Sequence, residues 1–135
     1  MKKTLALLFS IVLILGLSSC TKREAPIMLA LGEYVLKSED DLHRSRIVIE
    51  EKNRFSFTIH VFSSHWPHGT YKINGNTLTL IEDKNEGKNS VYAFRIIDDA
   101  LVFVEKESSA MPIIEDVPAV KDGDRFILTP PTVSE

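Results

Sequence analysis

From Gly32 onward apolar residues fall at every second position, in short blocks parted by turn-forming residues, and no stretch sustains the three-and-four spacing of an amphipathic helix. Side chains on an extended strand alternate between its two faces, so a slip of one residue would turn a core face out to water. The pattern predicts a nearly all-β region with strands near Glu33–Lys37, Arg46–Glu51, Arg54–Phe62, Thr70–Asn74, Thr77–Glu82, Ser90–Ile97, Ala100–Glu107 and Arg125–Leu128. Lys52-Asn53, Gly75-Asn76 and Asp98-Asp99 suit tight hairpins, and Asp83 to Lys88 suits a longer polar loop.

The same alternation assigns the faces. Phe55, Phe57, Ile59 and Val61 share one side of their strand, and the count carries Tyr34, Leu36, Ile47, Ile49, Tyr71, Ile73, Leu78, Leu80, Tyr92, Phe94, Ile96, Leu101, Phe103, Phe126 and Leu128 inward with them. Short antiparallel strands joined by short turns avoid exposed edges by closing on themselves. The expected fold is therefore a small antiparallel up-and-down barrel of about eight strands, calycin- or lipocalin-like, with a β-sandwich as the alternative. Bulky Phe and Tyr side chains should fill such a barrel rather than leave a wide ligand cavity. Gly32 and Gly69 each precede a Tyr-bearing strand by one spacer residue, as expected where a backbone turns sharply or passes close to a neighbour at a rim. Ser108 to Gly123, with Pro112 and Pro118, fits neither period and reads as a long loop packed over one end.

The amino terminus has a different character. Lys2 and Lys3 precede an apolar run from Leu5 to Leu17, followed by Ser18-Ser19 and then Cys20, the only cysteine of the chain. This is the order of a secretory signal peptide, expected as a helical segment and shorter than the roughly 20 apolar residues a membrane span needs. Leu17-Ser18-Ser19-Cys20 resembles the lipobox of bacterial lipoproteins. That resemblance implies cleavage before Cys20 and a diacylglyceryl group on its sulfur, with acyl chains such as palmitate. At roughly 0.8 kcal/mol per buried CH₂, two or more chains hold a protein stably at a bilayer. An ordinary cleaved signal would instead leave an unpaired thiol in an exported protein. The expected organisation is a signal peptide over 1–19, lipidated Cys20 and a tether over 20–31, a barrel over 32–129 and an extended tail over 130–135. The expected location is the extracytoplasmic face of the cell membrane.

A second resemblance rests on Ser63-Ser64-His65-Trp66-Pro67-His68-Gly69-Thr70-Tyr71-Lys72-Ile73, then Asn76-Thr77-Leu78-Thr79-Leu80, Tyr92-Ala93-Phe94, Leu101-Val102-Phe103, Ser108-Ser109 and Asp122-Gly123-Asp124-Arg125-Phe126. These segments are similar to a small domain of uncharacterised Firmicutes lipoproteins, also appended outside the membrane to some metallopeptidases of the β-lactam-sensor type. The resemblance implies location and shape. It supplies no catalytic residue, because the chain carries no His-Glu-x-x-His motif.

Charge and chemistry narrow the function. The net charge is −3, and −5 once Lys2 and Lys3 leave with the signal, which gives nucleic acid no basic footprint. His60, His65 and His68, with His43 elsewhere, raise a metal-site hypothesis; strand and loop placement favours ordinary surface histidines, so no metal or other cofactor is expected. Ser63-Ser64 and Ser108-Ser109 lack a nucleophile-elbow pattern and read as turn serines. Glu39-Asp40-Asp41 and Glu82-Asp83 with Glu86 lack calcium-loop spacing and read as solvated turns, and Glu105 and Glu107, on one side of a strand, fall short of a glycosidase pair. No catalytic residue is assigned. The binding candidates are Trp66, His65 and His68, with Trp66 weighed as a lid on the barrel mouth, the favoured reading, or as an anchor for a partner. The leading expectation is a non-catalytic, lipid-anchored binding or sensing module with an envelope protein as its partner; the alternatives are a carrier of a small hydrophobic ligand and a metal-binding envelope protein.

Overall fold

The computed structural model describes residues 25–38, 44–84 and 86–130. The signal segment, Cys20, the acidic run at 39–41, His43 and the end of the tail lie outside the described residues.

Eight strands close an antiparallel barrel: β1 (Gly32–Leu36), β2 (Arg46–Glu50), β3 (Arg54–Thr58), β4 (His68–Asn74), β5 (Thr77–Glu82), β6 (Val91–Ile97), β7 (Ala100–Phe103) and β10 (Arg125–Leu128). Strands β1 to β7 each pair with the next in sequence, β7 pairs with β10 beyond a separate small hairpin, and β1 returns to β10 through Tyr34↔Leu128 and Leu36↔Phe126. The barrel is thus up-and-down, and no strand of it keeps an open edge. The expected barrel stands, and the sandwich alternative falls.

The turns explain the short connections. Lys52 and Asn53 (φ 58° and 56°) join β2 to β3, and Asp98 and Asp99 (φ 48° and 61°) join β6 to β7, both pairs left-handed as a hairpin twisted like its strands requires. Gly69 answers a different need. A side chain there would lie against the Ile81 carbonyl oxygen and 2.8 Å from the Asp83 backbone nitrogen, so only glycine lets β4 press this closely on β5.

Inside, the alternating residues meet as expected. Phe57 is buried at the centre with its ring edge-on to Tyr92, Phe126 and Phe94, at centroid separations of 5.5, 6.0 and 6.1 Å, and Phe94 packs on Phe103 at 5.4 Å. Aromatic packing therefore fills the interior. The barrel's outer face carries cross-strand ion pairs such as Arg46–Glu33 at 3.2 Å.

Three expectations need correction. β3 stops at Thr58, because Ser63 N–H bonds the His60 carbonyl (3.0 Å) and turns the chain there; Ile59 still reaches the core, but Val61 lies in the turn and is only partly buried. β7 stops at Phe103, and Glu105–Glu107 form a 3₁₀ turn rather than the end of a strand. The Ser108 to Gly123 segment does pack onto the core through Val120, Ala119 and Met111, but it also contains a small hairpin, β8 (Ile113–Ile114) with β9 (Val117–Pro118), turned by left-handed Glu115 and Asp116.

Alternating strand direction gives the barrel two distinct ends. At the first, here called proximal, lie residues 25–31 and the turns at 52–53, 75–76 and 98–99. At the distal end lie the connections 59–67 and 83–90 and the segment 104–124. Of the segment read as anchor and tether, residues 25–31 run across the proximal mouth: Leu29 packs against the core, and the Tyr34 hydroxyl donates to the Ala30 carbonyl at 3.0 Å.

Candidate functional site

The loop between β3 and β4 gathers the candidate residues at the distal rim. Its shape comes from local bonds. Ser63 accepts a bond on its hydroxyl from His65 N–H (3.1 Å) and donates to the His65 carbonyl (3.3 Å), the reciprocal pattern of a serine-stabilised turn. Phe62 N–H donates to His60 Nδ1 (3.3 Å), and the two rings lie tilted with centroids 5.5 Å apart. Beyond Trp66, the Pro67 carbonyl accepts from Phe57 N–H at 2.7 Å and ties the loop's return to β3.

A residue from β5 holds the loop from below. In β5 the inward positions are Leu78, Leu80 and Glu82, so the strand's parity aims a carboxylate into the distal mouth, where Glu82 is 5% exposed. His65 Nε2 stands 3.2 Å from Glu82 Oε1, and Lys84 Nζ stands 3.5 Å from Oε2. The lysine is near enough for Coulomb attraction, yet among the described residues Oε2 makes no hydrogen bond. A carboxylate buried at this depth needs such countercharge, since desolvation otherwise penalises its ionised form. The neighbouring Asp83 is more open and pairs with Arg54 at 2.7 Å. Glu82 thus departs from the expected solvated turn: it belongs to the barrel mouth and links the loop to the wall. Its position was legible in principle, because it continues the count that places Leu78 and Leu80 inside.

Near Glu82 stands the Tyr92 phenol. Burial pushes its pKa above the usual 10.0, outweighing a hydrogen bond with the Ser90 side chain that acts the other way, and the Glu82 charge adds to the rise. At the opposite end Tyr34 is raised as well, first by burial and then by the Asp99 charge.

The structure also places the three histidines of the loop apart in their roles. His65 faces Glu82, His68 Nδ1 lies 3.3 Å from the Trp66 carbonyl, and His60 serves the turn at Phe62. Among the described residues no group of three or more His, Cys, Asp or Glu is arranged to hold a metal ion. The serine hydroxyls are engaged with backbone: Ser108 accepts from Ala93 N–H (2.8 Å) and donates to the Val104 carbonyl (2.7 Å), and Ser109 accepts from Val91 N–H (2.9 Å). Both sit where the 104–124 segment runs beside β6, supplying the bonds a strand neighbour would. Glu107 pairs with Arg95 at 2.8 Å instead of facing a second carboxylate.

Trp66 overturns the favoured lid reading. It is 63% exposed, and Phe62 on the same loop is 78% exposed. The distal end is closed by other residues, with Val120 and Val104 buried there, so the indole is not needed as a cover.

The fold class so defined is a filled, eight-stranded up-and-down barrel with a bonded aromatic loop on one rim. Comparison of the chain with family models, with curated proteins and with solved structures finds no match.

Proposed function

We propose that this chain is a lipid-anchored protein of the cell envelope, held at the membrane by acyl chains on Cys20, whose barrel is a non-catalytic scaffold presenting the loop 59–68 to a protein partner. One observation carries the partner reading: Trp66 stands exposed on a loop whose backbone is bonded internally and braced by His65 against Glu82. A large amphipathic ring held out on a pre-shaped loop binds with little ordering cost, which is how a few aromatic residues come to dominate an interface. The filled interior around Phe57 favours this reading over a carrier of hydrophobic ligands. The spread of the histidines over separate partners favours it over metal handling.

The anchor and the partner are tested separately. Metabolic labelling with an alkyne fatty acid should mark the parent protein and not Cys20→Ser; equal labelling of both sinks the anchor. Crosslinking in native membranes, followed by mass spectrometry, should recover one envelope protein whose yield drops in Trp66→Ala. Undiminished yield removes the loop and leaves the 104–124 segment as the next surface to examine.

A further inference from the structure

We infer that the proximal end of the barrel rests on the lipid surface, with Ile27, Met28, Leu31 and Ile97 in contact with the bilayer and the Trp66 loop turned away from it. The inference rests on the lipid anchor proposed above and adds the orientation that the anchor alone does not specify.

The chain between Cys20 and the barrel is short. Ala25, the first described residue, already lies at the proximal end, where it lines a cleft of about 550 Å³ with Pro26, Ile27, Ile73, Gly75 and Asn76. Five residue steps separate it from Cys20. Fully extended they span at most about 18 Å, which keeps the proximal end near the acyl chains. A strand of six residues such as β5 is itself about 20 Å long, so an inverted barrel would need the tether stretched to its limit.

The proximal end also exposes apolar side chains. Met28 is 92% exposed, and Leu31, Ile97 and Ile27 are also open to solvent, three from the strap across the mouth and one from the end of β6. Leu29 of the same strap turns inward to the core, so the strap is fixed to the barrel while its outer side chains point away from it. Apolar side chains held on the anchored side of a protein find their burial in the acyl boundary of the bilayer. The turns around them carry Glu51, Asp98 and Asp99 against Lys52, with Glu50 at the end of β2 beside them. This end is therefore suited to a zwitterionic surface, and basic attraction to anionic headgroups is not its basis.

Lipid contact at the proximal end places the distal rim about a barrel length above the bilayer, where Trp66 is available to another envelope protein instead of the headgroups.

The test uses the full lipoprotein, processed in a bacterial host and reconstituted in phosphatidylcholine vesicles. Acylated Cys20 is the only native cysteine, so Met28→Cys, Ile97→Cys and Trp66→Cys each create a single free thiol for an environment-sensitive fluorophore. Lipids carrying a nitroxide on the acyl chain should quench the labels at positions 28 and 97 at least threefold more than the label at 66. Two proximal positions on separate elements guard against a local disturbance at either. Equal quenching at all three, or stronger quenching at 66, overturns the orientation while leaving the anchor intact. Fatty-acid labelling of the same preparation reads the anchor independently, and its absence overturns both.

Discussion

At the proximal end the chain crosses the barrel mouth as an extended strap, whereas at the distal end a folded segment with its own hairpin does the closing and a separate loop stands beside it. Both ends expose apolar side chains, but the neighbourhoods differ. Met28 and Leu31 flank the residue that plugs the mouth, Leu29, on the stretch that leads to Cys20. Trp66 stands open to solvent on a loop whose Ile59 reaches the core, and Val104 and Val120 are buried on that side without the indole over them. Exposure at the two ends is therefore proposed to serve different roles: a face for lipid beside the proposed anchor, and a face for protein away from it.

Both ends belong to one barrel, and the variant with the largest expected effect tests whether they unfold together. Phe57→Ala removes the ring on which Tyr92, Phe94 and Phe126 converge and should cost roughly 3–5 kcal/mol in urea unfolding, with both ends lost in one transition. Separate transitions would show that the ends fold independently. Gly69→Ala comes next: the added methyl meets the backbone of β5, and overpacking of this kind costs roughly 1–3 kcal/mol. Its effect should concentrate at the distal rim, read by faster amide exchange in β4 and β5.

Smaller effects sharpen the contrast between ends, each of which holds one buried phenol. Tyr34 and Tyr92 both have folded-state pKa values above 10.0, chiefly through burial. A raised value means the folded state keeps its proton longer than the unfolded chain, so their contribution is complete below pH 10 and is lost as pH rises through the folded values. Denaturation midpoints should therefore fall above about pH 10, and Tyr34→Phe and Tyr92→Phe should each flatten part of that fall. At neutral pH, Tyr34→Phe removes the bond to Ala30 and should cost roughly 0.5–1.5 kcal/mol while loosening the strap alone. Glu82→Gln acts at the other end, taking away the charge that His65 and Lys84 face. Hydrogen exchange should quicken in residues 59–68 and stay unchanged in the strap; no change in the loop would mean the brace is immaterial.

The barrel wall was legible in the sequence because its strands obey one rule, a side chain inward at every second position, and the core from Tyr34 to Phe126 follows it. Where the rule stops, reading became harder. Val61 satisfies the alternation of its strand, yet the turn bonded between His60 and Ser63 ends the strand first. The hairpin at Ile113–Pro118 is two residues to a side, too short for any period, and its turn places Glu115, a residue type that seldom signals a left-handed conformation, beside Asp116. Glu82 was hidden for the opposite reason: it obeys the alternation, but its charge argues for solvent unless a countercharge is known, and His65 reaches it from a loop whose path no local pattern specifies. The exposure of Trp66 likewise depended on a distant segment, because Val120 closes the end that the indole was expected to cover.

Trp66 is proposed to serve recognition without supporting the fold, and one variant tests both halves. Trp66→Ala should unfold within about 0.5 kcal/mol of the parent, since the ring is already in solvent, while the yield of the crosslinked partner in native membranes falls at least tenfold. A variant that loses stability but, once folded, crosslinks as well as the parent would mean that Trp66 supports the fold and not recognition.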